Sequence, residues 1–153
     1  MTNDKTVDVL NRLVEINNDR IEGYETASDE TNEQDLKALF ARFAQNSHKC
    51  REELSVEIIS LDGTPTDGTK NTGKLFRAWM DVKAALTGED RHAILSSCEF
   101  GEDHALQTYR NVLKDDSEHL SSSQISMINT QMVLLKGDHD KVKAMRDAAK
   151  VEA

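Results

Sequence analysis

Apolar positions along this chain recur at steps of three and four residues and nowhere alternate in twos, a pattern that predicts helices and no strands. The first helix is expected over 5–28, with Val7, Leu10, Val14, Ile21 and Tyr24 on one stripe, Leu13 beside it and Asn17 in the gap. Asp4 is its expected N-cap. The polar stretch SDETNEQ (28–34) is short enough for a tight link between antiparallel helices. A second helix follows over 32–61, striped by Leu36, Phe40, Phe43, Ser47, Cys50, Leu54, Ile58 and Leu61. It stops at DGTPTDGTKNTG (62–73), whose Gly, Pro, Asp and Thr mark a loop. A short amphipathic helix is expected over 73–88, with Leu75, Phe76, Trp79, Val82 and Leu86 on one face, Gly88 as its stop and Trp79 as its anchor. The third long helix covers 90–114 with the stripe Ile94 or Leu95, Cys98, Glu102, Ala105, Tyr109 and Val112. The fourth covers 121–149, capped by the serines at 121–123. Ile128, Met132, Leu135, Val142 and Met145 stripe it, with Gln131 and His139 on the same face.

Four long amphipathic helices predict an all-α four-helix bundle, a single domain over 1–153. The outer links are short, so each pair of helices is antiparallel. The middle connection, 62–89, carries the short helix and can travel the roughly 40 Å length of such helices. One long crossover between two hairpins is the ferritin-like arrangement; a crossover that folds back would give an up-down-up-down bundle instead.

Composition narrows the function classes. Of 153 residues, 37% are hydrophobic and 31% charged, with a single proline, which argues against a disordered chain. No apolar run reaches the roughly 18 residues that a transmembrane helix needs. MTNDKTVDVL has neither the basic start nor the apolar stretch of a secretory signal. Cys50 and Cys98 are too few for a disulfide scaffold and suit a reducing compartment, so a cytoplasmic location is expected. Both sit on core stripes, and the crossover topology sets them roughly 18 Å apart along the helix axes, so they are expected to stay reduced. The net charge is −9, and residues 1–35 alone hold ten acidic and three basic residues. That excess disfavours nucleic acid and anionic membranes.

The candidate chemistry lies in polar residues on apolar stripes: Asn17, Ser47, Glu102, Gln131 and His139. The last hairpin sets Glu102 opposite about residue 135 and Glu99 opposite about residue 138. Glu22 or Glu25 reaches a nearby level of the first helix. Carboxylates and a histidine facing into a bundle are raw material for a metal site, so Glu22, Glu99, Glu102 and His139 are the candidate ligands, with iron or manganese as the metal. A di-iron bundle needs a Glu from each of two helices and a Glu-x-x-His pair from each of the other two. The one such pair here, Glu89 with His92, falls at a bundle end, and Gln45 with His48 has an amide where a carboxylate is required. The favoured expectation is therefore a hydrogen-bonded polar layer, with Glu102 paired to Gln131, His139 or Asn17 and no bound cofactor. No nucleophile with a base, no oxyanion hole and no phosphate-cradling loop is apparent, so no catalytic residue is assigned.

Three stretches add a resemblance: LNRLVEINNDRIEGYETA (10–27), KLFRAWMDVKAALTGED (74–90) and CEFGEDHALQTYRNVL (98–113), with GDHDKVKAMRDAA (137–149) in the last helix. They resemble the signature stretches of an uncharacterised bacterial family of ferritin-like, rubrerythrin-related four-helix proteins. The resemblance implies a ferritin-like fold in a cytoplasmic bacterial protein and assigns no reaction. The expected role is non-catalytic: structural, stress-associated, or one of interaction, including homo-oligomers through helix faces. The alternatives are an iron- or manganese-binding, oxidoreductase-like bundle with an incomplete ligand set, and a bundle that holds an apolar ligand between the crossover helix and the core.

Overall fold

A computed structural model describes residues 2–68 and 73–152, with side chains over 3–68 and 77–149. Five α-helices fill it, α1 (Thr2–Glu30), α2 (Gln34–Ser60), α3 (Gly73–Gly88), α4 (Arg91–Asp115) and α5 (Ser122–Glu152), with a 3-10 turn at Ser117–His119. No strand occurs among the described residues. The expected Leu75 and Phe76 contacts lie outside the described side chains.

α1 and α2 form an antiparallel hairpin. Near the link, the Ser28 hydroxyl donates to the Lys37 carbonyl (2.9 Å) and Lys37 Nζ to the Ser28 carbonyl (2.6 Å). At the far end, Gly63 lies so close to Val7 that a Cβ there would come within 2.7 Å of it. α1 begins earlier than its capping pattern suggests: Asp4 sits in the first turn, where its charge meets the positive helix end, instead of capping it.

The chain then climbs back along α1. Asn11 and Asn18, two turns apart, act as rungs for the backbone of the loop. Asn11 Nδ2 donates to the Thr64 carbonyl (3.0 Å), and Asn11 Oδ1 accepts from the Thr66 amide (2.9 Å). Asn18 Nδ2 donates to the carbonyls of Thr66 (3.2 Å) and Gly68 (2.9 Å). α3 continues the climb, with Trp79 laid against Gly23 and Tyr24. Gly88 is still helical. The residue that turns the chain is Glu89, with φ of 55°, and the Glu89 and Asp90 amides donate to the carbonyls of Leu86 and Ala85 to close the helix end. Asp90 then caps α4 by accepting from the Ala93 amide (3.1 Å).

Arg91 fixes where α4 begins. Its guanidinium pairs with Glu33 (2.9 Å) and Asp35 (2.7 Å), at the start of α2. α2 and α4 therefore run in the same direction, and the 61–90 connection crosses the length of the body. After α4, Ser121 and Gln124 cap α5 reciprocally: Ser121 Oγ accepts from the Gln124 amide (3.2 Å) and Gln124 Oε1 from the Ser121 amide (2.8 Å). α5 returns antiparallel to α4, as the Tyr109–Gln131 and Glu99–Arg146 contacts require.

Two apolar clusters make the core. One gathers Leu10, Leu13, Val14, Leu54, Ile58, Ala105, Tyr109, Ile128 and Leu135. The other gathers Tyr24, Leu36, Phe40, Phe43, Leu95, Cys98 and Val142. Between them, α1, α2, α4 and α5 each contribute a polar residue at one level.

Candidate functional site

That level is organised by Arg20. It lies on α1 four residues before Tyr24 and three after Asn17, on the inward stripe, and is 1% exposed. Its Nε and Nη2 donate to Glu102 Oε1 on α4 (3.1 and 2.8 Å), Nη2 also to Asp138 Oδ2 on α5 (2.9 Å), and Nη1 to Ser47 Oγ on α2. The Tyr24 hydroxyl donates to the same Glu102 oxygen, and the guanidinium carbon stands 5.3 Å from the centre of the Tyr24 ring. Asn46 Nδ2 reaches both oxygens of Asp138 (2.9 and 3.1 Å). One guanidinium thus links four helices.

The electrostatics follow from burial and proximity. Burial raises the Glu102 carboxyl above its ordinary range, against the pull of Arg20 and Tyr24, and does the same to Asp138. Burial also works against the Arg20 charge, but Glu102, Tyr24 and Asp138 outweigh it and hold Arg20 protonated. Glu102 Oε2 is buried with no hydrogen-bond partner.

A second buried layer lies one turn away along α1 and α2 and two turns away along α4 and α5. Asn17 Nδ2 donates to the Tyr109 hydroxyl (2.8 Å), which donates to Gln131 Oε1 (2.7 Å). Gln131 Nε2 donates to the Cys50 carbonyl (3.2 Å) and to Glu53 (3.1 Å).

The expected partners of Glu102 are therefore corrected. Glu102 is inward-facing as its stripe position requires, but Arg20 and Tyr24 hold it, while Asn17 and Gln131 pair through Tyr109. Asp138, the neighbour of His139, is the α5 residue that faces the core. The pairing along α4 and α5 also runs about one turn beyond the simple hairpin count, with Glu102 level with Asp138. Side chains of antiparallel helices lean toward opposite ends, each toward its own N-terminus, so the residues that meet are shifted by about one position on each helix.

His139 lies at the outer edge of the α4–α5 interface. Its Nε2 stands 2.7 Å from Asp103 Oδ1 and 3.7 Å from Glu99 Oε1, and its Nδ1 3.1 Å from Asp140 Oδ1. Glu99 Oε2 accepts from Arg146. Two sequence-derived candidates, Glu99 and His139, come together here, joined by Asp103, which is one turn from Glu99. Glu102 is turned inward to Arg20. Glu22 is apart from all three, exposed on the rim of a groove between α1 and α3. That groove encloses about 170 Å³ over Gly23, Ala27, Trp79, Val82 and Leu86.

Sequence reasoning missed Arg20, Asp138, Asp103 and Arg146. The available signal for Arg20 was the run Leu10, Leu13, Asn17, Arg20, Tyr24, Ala27, whose steps of three and four place an arginine on the core stripe.

Residues 5–115 match a family described as Domain of unknown function (DUF2383). The chain belongs to this family. The DUF2383 match spans α1 to α4 and ends at the last residue of α4, so Asp138 and Gln131, the α5 members of both buried layers, lie beyond it. None of the curated proteins matches the chain.

Proposed function

We propose that this DUF2383 protein is a ferritin-like four-helix bundle with a non-catalytic role in protein association, its interior closed to metal chemistry by an arginine. The long crossover, the parallel α2 and α4 and the α3 helix laid on α1 support the ferritin-like reading. The observation that carries the functional reading is the position of Arg20. In a di-iron bundle, carboxylates from facing helices converge on cations. Here the Glu102 and Asp138 carboxylates converge on a guanidinium that is permanently charged and occupies their shared space. α2 offers Ser47 and Asn46 at this level, neither a carboxylate nor a histidine. The donor set does not fit a pair of metal ions.

An association role uses surface instead. Val56 and Ile59, one turn apart on α2, are 62% and 61% exposed, and Val133 on α5 is 69% exposed. The test is an Fe(II) oxidation assay under air, together with sedimentation of the purified protein. The reading expects no oxidation above the uncatalysed rate, and self-association that Val56→Asp with Ile59→Asp weakens. Oxidation that depends on Glu102 would overturn it.

A further inference from the structure

We propose that Glu99, Asp103 and His139 form a surface site for a divalent metal ion that clamps α4 to α5. Among the described residues, this is the trio of His, Cys, Asp and Glu side chains whose ligand atoms converge, all within 4.8 Å of one another. Ligands bound at about 2.0–2.2 Å stand roughly 3 Å apart at right angles and about 4 Å apart when opposed. The 3.7 Å separation from His139 Nε2 to Glu99 falls within that range and the 2.7 Å separation to Asp103 lies just below it, so a cation enters with small adjustments of side-chain torsions.

Three features point to a cation beyond the proximity of acids. The first is the donor set, one imidazole nitrogen and two carboxylate oxygens, which suits Zn²⁺, Mn²⁺ or Fe²⁺ better than Ca²⁺ or Mg²⁺. The second is the other face of the ring. Asp140 Oδ1 stands 3.1 Å from His139 Nδ1 while its Oδ2 accepts from Lys136 (2.9 Å), so the carboxylate accepts from Nδ1 and aims Nε2 at Glu99 and Asp103. A carboxylate behind a histidine in this way fixes the ring for metal ligation. The third is the mixture of burial and access. Glu99 and His139 are largely enclosed between the helices, so their positions are set in advance, while Asp103 opens the site to solvent. On binding, the metal takes the Nε2 lone pair of the tautomer whose ring proton sits on Nδ1, donated to Asp140. Arg146 competes, since it holds Glu99 Oε2 and brings a positive charge to the site.

The site is separate from the Arg20 layer and stands whether or not the interior reading holds. Calorimetric titration of the full-length protein with ZnCl₂ tests it. Wild type is expected to bind one Zn²⁺ per chain. His139→Ala and Asp103→Asn should each weaken binding at least about tenfold. Arg146→Met should tighten it severalfold, a gain that misfolding cannot produce. Glu102→Gln and Glu22→Gln should leave it unchanged. Asp103 is exposed, so its variant reads ligation even if His139→Ala disturbs packing; a thermal melt of each variant identifies any that unfold. No Zn²⁺ uptake by wild type, binding that survives Asp103→Asn, or loss of binding in Glu102→Gln would each overturn the proposal.

Discussion

Tyr24 donates its hydroxyl hydrogen to Glu102 Oε1, the oxygen that already receives Nε and Nη2 of Arg20. All the donors are concentrated on one oxygen, and Oε2 is buried without any. Two carboxylates thus share one guanidinium, and the balance of the layer depends on Arg20. Removing one partner of a buried charge network costs about 3–5 kcal/mol, because the charges left behind are desolvated and unpaired. Arg20→Met is expected to lose a stability of that order in urea unfolding at neutral pH. Adding Glu102→Leu to it should recover a large part, since an apolar replacement of the pair is often neutral. A loss below about 1 kcal/mol in Arg20→Met would contradict this account.

The pH dependence has a definite sign. Burial raises Glu102 and Asp138 above their ordinary values of 4.5 and 3.8. Groups raised in the folded state contribute stability that is full below their unfolded values and lost as pH rises through the folded ones. Glu102→Gln removes one of these titrations. Its stability relative to wild type should rise as the pH climbs above the ordinary carboxyl value of 4.5, read from unfolding midpoints across a pH series. A falling difference would place the Glu102 shift in the opposite direction, and a flat one would remove it.

Gly23 is a steric requirement of the crossover helix. A Cβ there would lie 2.3–2.6 Å from three atoms of the Trp79 indole, a rigid ring with no flexible end to yield. Gly23→Ala should cost about 1–3 kcal/mol, as overpacking does, and shift the emission of the single tryptophan to longer wavelength. At Gly137 on α5 nothing lies within 4 Å of the added carbon, so Gly137→Ala should gain up to about 1 kcal/mol. Equal effects at the two positions would remove α3 packing as the cause.

The cysteines should be inert in the folded protein. Both are free and buried. Burial pushes the Cys50 thiol up to about 11 and Cys98 higher still. A thiolate is the reactive species, so neither should label with iodoacetamide at about pH 8 until the chain is unfolded. Mass spectrometry of the native and denatured protein after labelling gives the comparison.

The helix boundaries were legible to within a few residues because each stripe is long and the breaks are dense in Gly, Asp and Thr. The length of the middle connection permitted a crossover and left a fold-back open; the Arg91 pairs with Glu33 and Asp35 decide between them. Glu102 was legible as a buried carboxylate, because its neighbours Cys98, Ala105 and Tyr109 fix the face of α4. Its partner was not. Reading α1 through Val14 and Ile21 put Arg20 off the stripe, and an arginine is ordinarily a surface residue. On α5, Asp138 and His139 are adjacent, and one residue of rotation, about 100°, decides which of them is inside. Sequence spacing along a single helix does not carry that rotation; the pairing with Arg20 and Asn46 does.

The Arg20 layer also sets an order of events during synthesis. α1 and α2 leave the ribosome before α4 and α5, and they offer the guanidinium Ser47 and the face of Tyr24 but neither of its carboxylates. Its two carboxylates come 82 and 118 residues after it. A charge facing a hydroxyl alone stays with water, since drying it costs more than the contact returns. The nascent hairpin therefore remains wet at its middle, and the apolar clusters on either side wait on the same event. A helix made later admits α1 to the interior, so closure around Arg20 waits for α5.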